Sequence, residues 1–331
     1  MLRELARVPF DREEFERESR GVRKELAQMR REMGSLPLFA RWTPKEITIT
    51  PERIYYIAMH PSPVKPLVFA GDKVGNLGIW DVFGSVEGDD EDQNPTPLVT
   101  SYKVHSRTIS QFIFSPTDAT KLYTSSYDTT IRVLDLSTGV ATEVYYLPDN
   151  EEDVDALISS VQLHPDGNTL FFANFYGKVG TLDVRESPKT RKATFYPLHE
   201  KKIGGLSIFH PLPSIFATCS LDRTMKLWDL RKMSGKHPAL YGEYESTKSI
   251  SSAEFNRAGD IVATSYDDTL AVFDGVVSGT LAAGKKLGAM TPTQRILHNN
   301  QTGRYVSVLK ARWHERPENG FDKFCVGNMR R

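Results

Sequence analysis

The sequence predicts an all-β fold, a β-propeller of repeated four-stranded blades preceded by an N-terminal helix. Three observations lead to this prediction: a motif that repeats without gaps, a regular spacing of the aspartates that close the repeats, and a strand-like alternation of apolar residues inside them. We expect residues 1–44 to form a helical extension and residues 45–331 to form the propeller.

The clearest repeat is a segment that occurs three times without gaps, at residues 125–135, 219–229 and 264–274. Each copy reads Ser, one residue, Asp, six residues, Asp. Apolar residues alternate between the two aspartates, as Ile131 and Val133 do in the first copy. This pattern is typical of a turn that leads into a half-buried strand.

The closing aspartates are regularly spaced once two weaker copies, ending at Asp81 and Asp183, are included. They lie at positions 81, 135, 183, 229 and 274, and their separations of 54, 48, 46 and 45 residues are close to the roughly 40–45 residues of a WD-repeat blade. The longest separation contains the acidic segment 88–93. Because this segment lacks the spacing of a calcium loop, it predicts a solvated insertion.

Histidines and turn dipeptides recur in step with these repeats. His105 precedes Asp128 by 23 residues, and His199 precedes Asp222 by 23 residues. In WD repeats such a histidine bonds the turn aspartate, and a serine and a tryptophan complete a buried network. The dipeptides expected at an equivalent turn of four blades are His60-Pro61, Ser115-Pro116, His164-Pro165 and His210-Pro211.

The end of the chain predicts part of a sixth blade after five full ones. We expect its first strand at residues 304–310, its turn at Trp313 and His314, and its second strand at residues 324–328. A seven-bladed ring would need the rest of this blade and one more, so we expect a propeller truncated at its C-terminus. Either the sequence is a shortened product or gene model, or a partner strand closes the gap.

The N-terminal segment 11–33 predicts a helix. Val22, Leu26, Met29 and Met33 fall on one helical face, and most other positions are Glu or Arg. Two interpretations stay open at this point. The segment is either a solvated helix packed by one apolar stripe or a docking helix for a partner.

Composition and motifs argue against several classes of function. The 42 Lys+Arg balance the 42 Asp+Glu, so a nucleic-acid site must be a local basic patch. Cys219 and Cys325 belong to no CxxC pair, which fits a reducing compartment and predicts neither a disulfide framework nor a zinc site. The sequence lacks a long apolar span and a secretory signal. Without a P-loop, GxSxG or HExxH, it predicts no enzyme, cofactor, metal site or small-molecule substrate.

Basic residues in the connecting segments define a predicted nucleic-acid site. Such groups on one propeller face would neutralise phosphates, and the polar turn at 298–304 could reach base or sugar edges. Taken singly, each cation is better explained as a solvated surface charge, and their clustering adds modest support for a shared site. The predicted phosphate contacts are Lys201, Lys202, Lys232, Lys248, Arg295 and Arg304, and the predicted groove contacts are His298, Asn299, Asn300 and Gln301.

Two Asp-x-Arg triplets end predicted blades, at Asp183-Val-Arg185 and Asp229-Leu-Arg231. An arginine at this point can reach the propeller rim and bind a carboxylate or a helix end of a partner protein. The alternative is an ion pair with the aspartate of the same triplet. The spacing alone leaves both open.

Four segments of the chain resemble the fungal Cmr-type DNA damage-binding WD-repeat family. They are residues 49–56, 69–73, 75–81 and 298–304. More distantly, residues 201–236 are similar to the damage-recognition subunit of the UV-damaged-DNA-binding complex. The resemblance covers residues 45–330 and implies a seven-bladed propeller that resides in the nucleus, with the cytoplasm as a second compartment. It also implies binding of single- and double-stranded DNA, with a preference for UV-damaged duplex.

The resemblance further implies two sites. In the distant relative a hairpin with an aromatic tip wedges into the lesion, whereas the corresponding turn here, residues 298–304, has a polar tip that stacks poorly. Relatives use Asp-x-Arg boxes to dock onto the adaptor of a cullin-type ubiquitin ligase, and Arg185 and Arg231 match that pattern. The expected partners are DNA, such an adaptor and chromatin proteins. The alternative function is a protein scaffold or ligase substrate receptor without direct DNA binding.

Overall fold

The chain forms two compact units, Met1–Ile47 and Thr48–Arg331. The computed structural model describes residues 24–35, 39, 41–43, 45–86, 95–148, 156–234, 237–277, 286–303, 308–314 and 322–329. In the first unit, helix α1 spans Lys24–Gly34, and residues 11–23 of the predicted helix lie outside the described residues. No helix in the described part of the chain is long and apolar enough to cross a membrane.

The second unit is built from β-strands. In chain order they are β1 (Ile54–Met59), β2 (Leu67–Asp72), β3 (Asn76–Val86), β4 (Thr96–Lys103), β5 (Ile109–Phe114), β6 (Lys121–Ser126), β7 (Thr130–Asp135), β8 (Val140–Tyr146), β9 (Ile158–Leu163), β10 (Thr169–Asn174), β11 (Lys178–Asp183), β12 (Thr194–Pro197), β13 (Ile203–Ile208), β14 (Ile215–Ser220), β15 (Thr224–Ser234), β16 (His237–Glu245), β17 (Ile250–Phe255), β18 (Ile261–Ser265), β19 (Thr269–Phe273), β20 (Gly288–Ala289), β21 (Gln294–Leu297), β22 (Arg312–Trp313) and β23 (Phe324–Cys325).

These strands form five blades in a propeller arrangement, which confirms the predicted fold class. Blades one to three are the antiparallel sheets β1–β4, β5–β8 and β9–β12. Blade four contains β13–β16, and β20 adds to its edge in parallel. Blade five contains β17, β18, β19 and β21. The acidic segment 88–93, predicted as a solvated insertion, lies outside the described residues.

The first strands of successive blades pack against one another and form the core around the propeller axis. Strands β9 and β13 are buried along nearly their whole length, and apart from Gln162 their residues are apolar or small. Strand β1 differs, because Ile57 is 54% exposed and Met59 is 60% exposed.

Part of a sixth blade is present as the two-stranded sheet β22–β23. Strand β23 lies where the second strand was predicted. The prediction that Trp313 belongs to the turn is wrong, because Trp313 pairs with Phe324, stacks edge-on against its ring and donates its indole Nε1 to the Glu254 carbonyl. His314 does occupy the turn, where its amide donates to the Lys323 carbonyl. Residues 304–307 of the predicted first strand lie outside the described residues.

The two weaker repeats differ from the three strong ones in how they turn after the second strand. Thr129, Arg223 and Asp268 take a positive φ in blades two, four and five, and Gly75 and Gly177 take it in blades one and three. A Cβ built on Gly177 would lie 2.0 Å from the His199 carbonyl oxygen. Glycine is therefore required where the backbone of the next segment comes this close.

Candidate nucleic-acid interface

The predicted histidine–aspartate network exists and is complete in blade four. The Trp228 indole Nε1 donates to Thr218 Oγ1 over 2.8 Å, and Thr218 Oγ1 lies 2.7 Å from His199 Nε2. His199 Nδ1 lies 2.8 Å from Asp222 Oδ2. The predicted serine is wrong at this position of the network. Thr218 of the buried strand β14 takes its place, because its hydroxyl lies between the Trp228 indole and the His199 imidazole.

The serine of the Ser-x-Asp motif lies outside this network and bonds the backbone of the turn. Ser220 Oγ accepts the Asp222 amide and donates to the Lys201 carbonyl over 3.1 Å. The equivalent bonds in blades two and five run from Ser126 to the Arg107 carbonyl, over 3.2 Å, and from Ser265 to the Lys248 carbonyl, over 3.5 Å. Each turn therefore fixes the backbone of one basic residue at the same structural position.

These three basic residues are exposed and lie at the same end of their blades. We call this end the turn face; it comprises residues 73–75, 127–129, 175–177, 221–223 and 266–268 together with the residues that precede each first strand. The exposed cations of the turn face are Lys73, Arg107, Lys201, Arg223 and Lys248, of which Arg223 pairs with Glu245 over 2.9 Å.

The turn-face aspartates Asp128 and Asp222 are hydrogen-bonded by side chains of their own blades. Burial raises the pKa of Asp222, but the hydrogen bond and charge of His199 and the hydrogen bonds of Thr224 outweigh burial, so the pKa lies below its usual range. The pKa of Asp128 is lowered in the same way by His105 and Thr130. Because these carboxylates are held by internal donors, they leave the exposed cations available to an external anion.

The predicted phosphate contacts divide between two ends of the molecule. Lys201 and Lys248 lie on the turn face, because Ile203 pairs with Ser220 and Ile250 pairs with Ser265. Lys232 lies beyond Asp229, at the opposite end of blade four.

Two further predicted phosphate contacts are Arg295 and Arg304. Arg295 lies within β21, opposite Ala271, with its guanidinium 6.0 Å from the centre of the Tyr244 ring. Arg304 lies outside the described residues.

Lys202 is adjacent to Lys201 but turns inward. Its Nζ lies 3.8 Å from the centre of the Phe175 ring and 5.6 Å from that of Tyr127. Burial and the nearby charge of Lys310 lower the pKa of Lys202 to about 8. Lys201 and Lys202 therefore occupy different environments, although the sequence places them side by side.

The polar turn at 298–301 is largely engaged in holding the fold together. His298 is buried, with Nε2 lying 2.6 Å from the Gly327 carbonyl. Asn300 is buried, and its backbone N–H donates to Asp268 Oδ1 over 3.0 Å.

The other two residues of this turn make similar contacts. The backbone N–H of Asn299 donates to Asn328 Oδ1 over 2.7 Å, and the side-chain Nε2 of Gln301 donates to Asp268 Oδ2 over 2.9 Å. Of these four predicted groove contacts, Gln301 is the one that is exposed, and its side-chain nitrogen already donates to Asp268.

Both Asp-x-Arg triplets form ion pairs within themselves. Arg185 bonds Asp183 through Nε and Nη2, at 3.0 Å and 2.6 Å, and Arg231 bonds Asp229 through the same atoms, at 3.0 Å and 2.9 Å. The hydrogen bonds of Arg185 lower the pKa of Asp183 to about 2. The side chains of Arg185 and Arg231 remain 68% and 47% exposed. Asp229 pairs with Ile215, so its triplet lies at the end opposite the turn face.

Sequence reasoning missed Arg107. A usable signal existed, because Arg107 follows His105 by two residues just as Lys201 follows His199 by two. The described residues contain no group of three or more His, Cys, Asp or Glu side chains that could hold a metal ion.

Comparison with known proteins agrees with this architecture. The family model for the WD domain, G-beta repeat, matches residues 96–135 and 190–229. The DNA damage-binding protein CMR1 of Phaeosphaeria nodorum is 46% identical over 98% of this chain and 64% of its own length. The DNA damage-binding protein cmr1 of Neurospora crassa is 43% identical over 93% of this chain and 60% of its own length.

The chain thus spans less than two thirds of the length of these relatives. Within that span the match is nearly continuous, and the predicted resemblance is confirmed. This chain is a WD-repeat protein and a homologue of the fungal Cmr-type DNA damage-binding proteins.

Proposed function

We propose that this protein binds DNA through its turn face and acts in the nuclear response to DNA damage. The observation that carries the proposal is the repetition of one exposed cation, Arg107, Lys201 and Lys248, at the same position of three blades. Cations presented on a rigid backbone neutralise successive phosphates without reading sequence. The homologues are named DNA damage-binding proteins, which supports DNA as the ligand.

The proposed ligands are single- and double-stranded DNA, with UV-damaged duplex preferred. Phosphate contacts alone give general binding, so a preference for damage must come from the ease with which a lesion lets the duplex deform. Gln301, exposed at the edge of the turn face, is the predicted groove residue best placed to contact such a site.

The test is fluorescence anisotropy of the purified chain with undamaged and UV-irradiated duplexes across a salt series. Replacing Arg107, Lys201 or Lys248 with Gln should each lower the slope of log K against log salt by about 0.9 for duplex DNA. The matched control is Lys232→Gln, an exposed lysine at the opposite end of blade four. Wild-type slopes in all three variants, or an equal loss in the control, would refute the turn face as the interface.

The damaged duplex tests the finer part of the proposal. Tighter binding of the irradiated duplex, at equal salt slope, is the expected result, because a lesion changes deformability and leaves the phosphate charge nearly unchanged. Equal affinities for the two duplexes would reduce the proposal to general DNA binding.

A second candidate is docking to a cullin-type ubiquitin ligase adaptor. The observation in its favour is that Arg185 and Arg231 are held in fixed orientations by their own aspartates and still expose much of the side chain. A preordered guanidinium loses little conformational freedom when it binds a carboxylate. If purified adaptor is captured equally well by the Arg185→Ala plus Arg231→Ala variant, these residues do not dock it.

A further inference from the structure

Side chains from several blades converge on the propeller axis below the turn face. Lys202 of blade four reaches Phe175 of blade three and Tyr127 of blade two, whose hydroxyl lies 3.5 Å from the Lys202 Nζ. Lys310 precedes the sixth-blade strand β22, yet its Nζ donates to the Gly204 carbonyl of blade four over 3.0 Å. Two ammonium groups from distant parts of the chain therefore enter one region.

The carboxylate near this region is already engaged. Glu254 of blade five pairs with Arg312 Nη1 over 2.8 Å, and Arg312 Nη2 donates to the Tyr56 hydroxyl of blade one over 2.6 Å. Arg312 thus forms the ion pair with Glu254, and Glu254 acts on Lys310 only as a charge at longer range. Among the described residues, no carboxylate lies within ion-pair distance of either ammonium group.

The two ammonium groups also have unused hydrogen-bonding capacity. Each carries three N–H donors, while Lys202 has one weak acceptor, the Tyr127 hydroxyl, and Lys310 has one acceptor, the Gly204 carbonyl. Burial lowers the pKa of both lysines, the nearby charge of Lys310 lowers that of Lys202 further, and the charge of Arg312 lowers that of Lys310 further. An anion placed between them would remove the repulsion and accept the spare donors.

We propose that the axial site formed by Lys202 and Lys310 binds an oxyanion of the phosphate class. A tetrahedral oxyanion has several acceptor oxygens, so it can receive N–H groups from both lysines and an O–H from Tyr127 at once. The aromatic walls formed by Phe175 and Tyr127 reduce competition from water and strengthen each of these bonds. The cations exclude positively charged ligands.

Two sources can supply this chemistry: free inorganic phosphate, or the terminal phosphate of a DNA strand. The site does not depend on DNA binding by the turn face, because its ligands are Lys202 and Lys310 rather than Arg107, Lys201 and Lys248. The same protein preparations can therefore test both ideas separately.

The experiment is isothermal titration of the full chain with inorganic phosphate, at an ionic strength matched with sodium chloride. Lys202→Gln and Lys310→Gln should each weaken phosphate binding at least about tenfold, since each removes a charged hydrogen-bond donor. Lys232→Gln is the matched control, because it removes an exposed lysine at the opposite end of blade four and should leave phosphate affinity within about twofold. Circular dichroism and unfolding midpoints confirm that each variant is folded.

If Lys310→Gln fails to fold, the Lys202→Gln variant tests the proposal, because the Lys202 ammonium bonds the Tyr127 hydroxyl and no backbone carbonyl of the described residues. Phosphate affinity that is unchanged in folded Lys202→Gln overturns the proposal. So does an equal loss in Lys232→Gln, which would show an effect of net charge rather than of the axial site. Absence of binding by the folded wild-type chain at up to about 50 mM phosphate also overturns it.

A pair of thymidine dinucleotides, with and without a 5′-phosphate, distinguishes the sources. Tighter binding of the phosphorylated dinucleotide than of inorganic phosphate supports an axial site for strand ends. Equal or weaker binding of that dinucleotide supports a site for free phosphate. Loss of DNA binding in Lys201→Gln with phosphate binding intact would support the axial site and the turn-face interface together.

Discussion

Blades four and five form the same Ser-x-Asp turn but hold it with different chemistry. In blade four, Asp222 is bonded by His199, which is linked through Thr218 to the buried indole of Trp228. In blade five, Asp267 accepts hydrogen bonds from Ser246 and Thr247, at 3.0 Å and 2.8 Å. The turn therefore requires donors that saturate its carboxylate, and a histidine is one way to supply them.

The hydrogen-bond network around Asp222 extends further into its blade than the one around Asp267. The network of blade four spans three strand segments and ends in the core, whereas the hydroxyls of blade five are local to the turn. Phe273 occupies the position in blade five that Trp228 occupies in blade four, and it cannot donate a hydrogen bond. The comparison leads to three predictions, from the largest expected effect to the smallest.

Removing the histidine of blade four should lower the free energy of unfolding more than removing a hydroxyl of blade five. His199→Ala leaves the Asp222 carboxylate, whose side chain is 11% exposed, without its main partner, and should lower the free energy of unfolding by about 3 kcal/mol. Ser246→Ala should cost about 1 kcal/mol, because Thr247 still bonds Asp267. Urea unfolding followed by circular dichroism measures both. Equal losses would show that the histidine adds nothing beyond a hydroxyl.

Lowering the pH should reduce the stability that Asp222 and Asp267 give to the two turns. The folded pKa values of Asp222 and Asp267 are both lowered, although burial opposes the shift in each, so their stabilisation is present above the unfolded pKa, about 4, and is lost as pH falls through the folded pKa. Unfolding free energies of Asp222→Asn and Asp267→Asn between pH 2 and pH 6 test this, in steps of about half a unit. Each variant should show a shallower loss in acid than the wild type. An unchanged acid slope in both variants would contradict it.

Converting the tryptophan to the residue type of blade five should have a smaller effect than removing the histidine. Trp228→Phe removes the indole donor to Thr218 and part of a buried ring, and should cost about 1–2 kcal/mol. The network from Thr218 to Asp222 should survive, so amide exchange at Asp222 should stay slow. Fast exchange of the Asp222 amide in a folded variant would show that the turn depends on the indole hydrogen bond.

The regular repeats allowed the blades to be predicted from local chemistry. Turn residues and period-two alternation act over a few neighbouring residues, so the motifs at 125–135, 219–229 and 264–274 determine their own hairpins. The histidine–aspartate pairs could also be predicted, since each pair lies within one repeat. The threonine in the network could not, because several hydroxyls in that region fit the spacing equally well.

By itself, the sequence determined that the chain forms β-blades, how many full blades there are, and which basic residues flank the turns. Only the tertiary structure decided which of these residues share a surface. It places Lys201 on the turn face, Lys232 at the opposite end and Lys202 beside the axis, and it buries His298 and Asn300. The physical reason is that strand and turn formation depend on near neighbours, whereas the direction and burial of a side chain depend on residues that other blades bring beside it.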